Sequence, residues 1–270
     1  MEVMKRLFLV LFFLLALFSC RRAGTANNID DISLAKVYLA GKLKVGVDIP
    51  FAPLAFMEQN EYVGYDIDVI NEMCAIMDIQ VEYVQINWDK KYQMLQSGEI
   101  DMIASGFSES AGRANEYGTS LPLIKNVQCI VVRADETRIN NFDDLNNLYV
   151  GCQPGTTAES YLKEKIRNGF DIRMVISSNL LTALRNLQGR ITDALIADLV
   201  VMKYIISENQ SSAYKILNAA VLPESYVYAF RKDDIALIDA VNTTLQEMAE
   251  DGVLSQITKK WFVNDVSLIR

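Results

Sequence analysis

Arg113 follows Ser108 by five positions, inside the polar stretch SESAGRANE. A guanidinium forks onto a carboxylate with two parallel hydrogen bonds, which a lysine cannot do. Ser105, Gly106 and Ser108 can complete an anion shell around it with hydroxyls and backbone N–H groups. Gly155-Thr156-Thr157 stands between a strand-like and a helix-like run, where exposed N–H groups attract an anion. Asp198 closes an apolar run and offers a carboxylate to an ammonium group. Phe51 and Tyr65 lie between the first strand and the first long helix, so their rings can sandwich an aliphatic or cationic side chain. Asp48, just before Phe51, can meet a cationic or amide side chain. Each residue also has a plain structural use. Arg113 can be a solvated helix residue, the Gly155–Thr157 turn and Asp198 helix N-caps, the aromatics core, and Asp48 a turn cap.

The guanidinium and the carboxylate sit beyond two versions of one phrase. Residues 95–104 read LQSGEIDMIA and residues 187–197 read LQGRITDALIA. Each ends a helical pattern, passes a Gly and enters an apolar run opened by Asp101 or Asp193. A parallel α/β sheet binds ligands beyond the carboxyl ends of its strands. Two such units predict two lobes facing across a cleft, one offering a cation and the other an anion. A free α-amino acid carries the opposite pair of charges.

Composition narrows the alternatives. The chain has 270 residues, 51% of them apolar, enough for two lobes with substantial cores. Its net charge of −8 argues against nucleic acid, which needs a concentrated basic footprint. The absence of histidine removes Ser-His and Cys-His nucleophiles and most zinc sites. No GxSxG, P-loop or GxGxxG occurs, so no nucleotide or other cofactor is expected. Carboxylate-only acid–base chemistry stays open.

Elements follow from periodicity. KLKVGVDI (42–49) reads as a buried strand ending in a turn with Pro50 and Pro53. A helix carries Ile67, Ile70, Cys74 and Met77 at helical spacing, with Asp66 as its N-cap. QVEYVQI (80–86) is a strand, Asp89 caps the next helix, and Gly98 ends it. The plan repeats with a strand at 148–153, the helix AESYLKEKI, the strand DIRMVIS, and a helix with Leu181, Leu184 and Leu187 on one side. DALIA closes that unit, and SYVYAF (225–230) returns the chain before a terminal helix. Two crossings, near 125–128 and 222–225, are expected to form a hinge.

The N-terminus reads as a targeting signal. Lys5 and Arg6 precede twelve apolar residues, Leu7 to Phe18, too short to span a bilayer, which takes about 20. Leu17-Phe18-Ser19-Cys20 resembles a bacterial lipobox, making residues 1–19 a lipoprotein signal peptide and Cys20 the lipidated residue. Residues 20–36 form the tether, and simple secretion is the alternative. Cys74, Cys129 and Cys152 are odd in number, lack metal spacing, and read as buried small hydrophobes.

Taken together, several segments resemble the bacterial periplasmic solute-binding proteins of family 3, the amino-acid-binding components of ABC importers. They are LKVGVDIPFAPLAF, EYVGYDIDVINEM, LQSGEIDMIASGFSESAGR, VGCQPGTTAESYL, GRITDALIAD and EDGVLSQITKKWF, in the family's order and spread over nearly the whole chain after residue 36. The resemblance implies an α/β, two-lobed periplasmic-binding-protein fold of type II. Each lobe would be a mostly parallel sheet flanked by helices, and two strands would form the hinge. Lobe 1 would comprise 37–125 and 223–270, and lobe 2 residues 126–222.

By this likeness Arg113 takes the ligand α-carboxylate, helped by Ser108 and by Thr157 with its backbone; Ser105 and Thr156 are further candidate ligand-binding residues. Asp198 takes the α-ammonium, helped by the Gly106 backbone. Phe51 and Tyr65 clamp the side chain that Asp48 faces, and Gln153 stands where glutamine binders often have Lys. The implied protein is a non-enzymatic, monomeric, lipid-anchored binder of a polar or cationic L-amino acid. It would sit in the periplasm or cell envelope, needing no cofactor or metal and serving an ABC permease. Two alternatives share the fold: a cyclohexadienyl-dehydratase-like enzyme, which needs a general acid in the cleft, and a ligand-sensing module signalling through a separate partner.

Overall fold

A computed structural model of the chain describes residues 31–208, 212–262 and 266–269. The expected signal peptide, Cys20 and residues 21–30 of the tether lie outside the described residues. Residues 31–36, expected as tether, belong to the fold instead. Helix α1 (Ser33–Ala40) begins there, and Asp31 and Ser33 accept hydrogen bonds from the N–H groups of Ala236 (2.6 Å) and Leu237 (3.2 Å).

The first half follows the expected βαβαβ order. Strand β1 (Lys42–Val47) leads through a hairpin, β2 (Phe56–Glu58) and β3 (Glu61–Val63), to helix α2 (Tyr65–Ile76). Then come β4 (Gln80–Gln85), a 3-10 turn at Trp88–Lys90, α3 (Lys91–Ser97) and β5 (Met102–Ser108). Both β4 and β5 pair parallel with β1. Gly64, not Asp66, caps α2, and Asn87, not Asp89, caps the 3-10 turn by accepting the Asp89 N–H (3.1 Å).

After the short α4 (Ala111–Glu116) and β6 (Tyr117–Thr119), strand β7 (Ile124–Arg133) opens the second half. There β8 (Tyr149–Cys152), α5 (Thr157–Arg167), β9 (Arg173–Ile176), α6 (Leu180–Gln188) and β10 (Ala194–Asp198) repeat the plan. The buried face of α6 is Leu180, Ala183, Leu184 and Leu187, while Leu181 is exposed. Helix α7 (Leu199–Glu208) precedes the long strand β11 (Tyr214–Arg231), and α8 (Ile235–Glu250) and α9 (Val253–Trp261) finish the described fold.

The two halves share one sheet, in the order β4-β1-β5-β11-β7-β10-β8-β9. The two lobe sheets are joined, as expected, through a two-strand hinge. The union comes from β7 and β11, which run antiparallel and pair Lys125 with Ser225, Asn126 with Glu224 and Gln128 with Leu222. These two strands carry the chain between the lobes.

Burial explains the unbroken apolar runs. In β5, Met102 and Ala104 join one core while Ile103 and Phe107 join another; in β10, Leu195 and Ala197 are separated from Ala194 and Ile196 in the same way. Side chains alternate across a strand, so a run that is apolar throughout must be covered on both faces. The three cysteines are free and buried.

Candidate functional site

Where the strands end, side chains from both lobes converge on a space of about 310 Å³, counting its open mouth. Its walls bring together Asp48, Phe51, Ser105, Gly106, Ser108, Arg113, Gln153, Thr156, Thr157 and Asp198, every expected site residue but one. Trp88 and Gln128 complete it. Tyr65 is the exception. It is buried in lobe 1, with its ring 5.3 Å from that of Phe262, because the first residue of α2 faces the core rather than the cleft. Trp88 is the aromatic that joins Phe51 in the cavity wall.

The first-lobe wall depends on a break in β5. Four steps of β5, Ile103 to Phe107, face only two of β11, Ala229 to Val227, so β5 bulges. Ser105 (φ 66°) and Gly106 (φ 71°) adopt left-handed backbone there. A Cβ on Gly106 would lie 2.8 Å from Phe51 and 2.9 Å from Leu54, so only glycine fits. Buried Asp66 holds the bulge by accepting the N–H groups of Ser105 (2.9 Å) and Gly106 (3.3 Å), with the Tyr228 hydroxyl at 3.3 Å. Burial lifts its carboxyl to about 7, against those stabilising bonds.

Beyond the bulge, Ser110 caps α4 and sets Arg113 at the cleft. Its guanidinium donates to the carbonyls of Ser108 (2.6 Å) and, across the gap, Gly155 (3.0 Å), and lies 4.5 Å over the Phe107 ring. The same Gly155 carbonyl accepts a bond from the fully buried Lys91 (2.9 Å), whose Nζ stacks over Trp88 and Tyr92. Burial, and then the neighbouring Arg113, push that lysine down to about 7. Two cations of one lobe thus meet one carbonyl of the other.

Gly155 belongs to the turn before α5. Thr156 caps this helix by accepting the Glu159 N–H (3.2 Å), and Glu159 reaches back to the Gly155 N–H (2.8 Å). The reciprocal cap secures a helix N-terminus at the cavity, where Thr157 stands. Thr156 therefore serves its structural role and lines the site as well. At the opposite wall, Gln153 donates to Asp48 (2.9 Å), a bond between the ends of β8 and β1. Burial raises the Asp48 carboxyl.

Asp198 is not a helix cap: the Val200 N–H donates to Asn126 (3.5 Å). Its Oδ1 accepts bonds from Asn126 (2.6 Å), Gln128 (2.8 Å) and the Tyr226 hydroxyl (2.6 Å), all on the hinge strands. Among the described residues Oδ2 accepts none, and Asp198 lines the cavity. Glu224 lies beside it and draws on the same two amides. Burial, and then the Glu224 charge, raise the Asp198 carboxyl to about 7. Sequence reasoning missed Gln128, Glu224 and Lys91. A signal existed for the first: Asn126 and Gln128 occupy alternate positions in the otherwise apolar run VQCIVV and its lead-in, polar side chains with no reason to be buried unless something needs them.

Chemically, the cavity opposes a forked cation and a helix N-terminus to a buried carboxylate, with two aromatic rings in its walls. Among the described residues no helix is long and apolar enough to cross a membrane. The L-cystine-binding protein TcyA of Bacillus subtilis is 27% identical over 98% of this chain and 100% of its own length. The solved structure of Tv2483 bound to L-arginine is 29% identical with a TM-score of 0.82, covering 89% of this chain and 98% of that one. That of the ancestral amino acid-binding protein AncCDT-1, a precursor of cyclohexadienyl dehydratase, is 29% identical with a TM-score of 0.78, covering 85% and 99%. A family model matches residues 43–264, and the two-lobed α/β chain belongs to the bacterial extracellular solute-binding proteins, family 3.

Proposed function

We propose that this protein binds one free L-amino acid, polar or cationic, between its lobes and delivers it to an ABC transporter permease. The observation that carries the reading is the placement of Arg113 and Asp198 on one cavity, cation from the first-lobe wall and carboxylate from the end of β10. The α-carboxylate replaces the Ser108 and Gly155 carbonyls as the partner of Arg113, joined by Ser108 and the α5 N-terminus with Thr156 and Thr157. The α-ammonium takes the open Oδ2 of Asp198 and the backbone at Gly106. Phe51 and Trp88 flank the side chain, whose polar end meets Asp48 and Gln153.

A ligand gripped from both lobes binds the closed form better than the open one, which is the differential affinity that closure requires. The lobes divide at the hinge, 37–125 with 223–270 against 126–222. The protein acts as a monomer in the periplasm or envelope, held to the membrane through Cys20. Relatives named for binding cystine or as a probable histidine-binding protein, and a structure holding arginine, support the ligand class. A thermal-shift panel of the twenty amino acids with cystine and ornithine tests it. Stabilisation by a basic or polar member is expected, and stabilisation by leucine alone contradicts it. No turnover of prephenate or arogenate is expected; any turnover replaces binding with catalysis.

A further inference from the structure

We infer that Asp198, set beside Glu224 at the hinge, is a proton-exchanging site: the empty cleft keeps a proton on Asp198, and the ligand's ammonium displaces it to solvent. The inference rests on the reading of Asp198 as the ammonium acceptor and adds Glu224 as a positioning residue.

The geometry is that of two acids held side by side on the same two amide donors. Asn126 Nδ2 donates to Asp198 Oδ1 (2.6 Å) and Glu224 Oε2 (3.1 Å), and Gln128 Nε2 donates to the same two oxygens (2.8 and 2.9 Å). The Ser108 hydroxyl adds one bond to Glu224 (2.9 Å) and Tyr226 one to Asp198 (2.6 Å). Turning the Gln128 amide would set its oxygen against both carboxylates, so the acids fix its orientation. Glu224 Oε1 and Gln128 Oε1 are buried without a partner.

Two like charges this close, away from water, disfavour double ionisation. Among the described residues neither acid belongs to a salt bridge. Arg113, the cation on the β5 side, is held on carbonyls, and Lys125 and Lys203 line the groove behind the hinge with Asn126. The other titratable neighbours stay neutral: burial carries Tyr226 well above its usual 10 and Cys129 to about 12. The proton therefore resides on Asp198, whose carboxyl burial and Glu224 raise to about 7. An arriving ammonium supplies the missing charge. The O–H bond breaks, the proton passes to buffer, and N–H···O bonds take its place. A neutral amine brings no such charge.

Titration calorimetry on the intact protein decides the matter, using the tightest amino acid of the panel at pH 6 in phosphate and in Bis-Tris. At that pH Lys91 is already largely charged, so it contributes little. The difference between buffers should correspond to about one proton released, and affinity should rise about tenfold per pH unit from 5 toward 7. Glu224→Gln keeps the shape and an acceptor for Ser108, and should lessen the release and make the profile shallower, since burial of Asp198 remains. Equal heats in both buffers with the wild-type protein overturn the inference, whether or not the variant folds; so does release undiminished in Glu224→Gln. Binding without release overturns this inference alone, whereas absence of any amino-acid binding overturns the functional reading beneath it.

Discussion

The two copies of the repeated phrase build the same platform and then part company. In each, the Asp that opens the apolar run binds the neighbouring parallel strand twice. Asp101 donates its N–H to the Lys44 carbonyl (2.8 Å) and accepts the Lys44 N–H (3.2 Å); Asp193 does the same with Tyr149 (2.8 and 3.1 Å). Each also meets an arginine, Arg231 at 3.2 Å or Arg138 at 3.5 Å. Beyond the platform the copies differ. The first bulges at Ser105 and Gly106 and reaches Arg113, whereas β10 ends at Asp198 without left-handed residues. What the copies share is scaffold, and what distinguishes them carries the charges of the cleft.

Substitutions at the distinguishing ends should have the largest effect. Arg113→Ala or Asp198→Ala should lower amino-acid affinity at least about a hundredfold by calorimetry, since removing one partner of a buried charge pair costs about 3–5 kcal/mol. Melting temperature in the absence of ligand should change little by comparison. Near-wild-type affinity in either variant would remove that residue from the site.

Next comes the bulge that only the first copy has. Asp66 ionises at about 7 in the fold and near 3.8 when unfolded. The native state thus holds the extra proton between those values, and this group's stabilisation is complete below about 4, is lost as pH rises to 7, and stays lost above. The slope approaches 1.4 kcal/mol per pH unit for one group. Asp66→Asn should flatten that part of the profile in denaturant titrations of the ligand-free protein; an unchanged slope would refute the assignment.

The smallest effect is expected on the shared platform. Asp101→Ala and Asp193→Ala should each cost about 1–3 kcal/mol of stability through lost bonds to strand N–H groups. Affinity measured on the folded fraction should hold. A hundredfold loss of binding in either would erase the distinction between scaffold and site.

Strands, helices and most of the cavity wall were legible because the sheet rule puts ligand groups at strand ends, and strand ends show as Gly, Ser, Asp or Thr after apolar runs. Tyr65 misled because proximity in sequence to a turn does not fix where the first side chain of a helix points; here it packs on Phe262. Trp88, in a 3-10 turn after β4, resembles any core aromatic until the lobes are brought together. Lys91 and Glu224 have no local pattern that marks them for the site. Their burial depends on contacts with Gly155 and Asn126, 64 and 98 residues away, which no local pattern encodes. The β7–β11 pairing that joins the lobe sheets lies where the two hinge crossings were expected, near 125–128 and 222–225.

The central claim is that both ends of a zwitterion are held at once, by Arg113 and by Asp198. Calorimetry of the tightest amino acid against its α-carboxamide and its desamino acid tests this most directly. The account expects each analogue to bind at least a hundredfold more weakly than the parent. If either retains affinity within tenfold of the parent, the ligand is not gripped at that end, and the two-sided cleft is wrong.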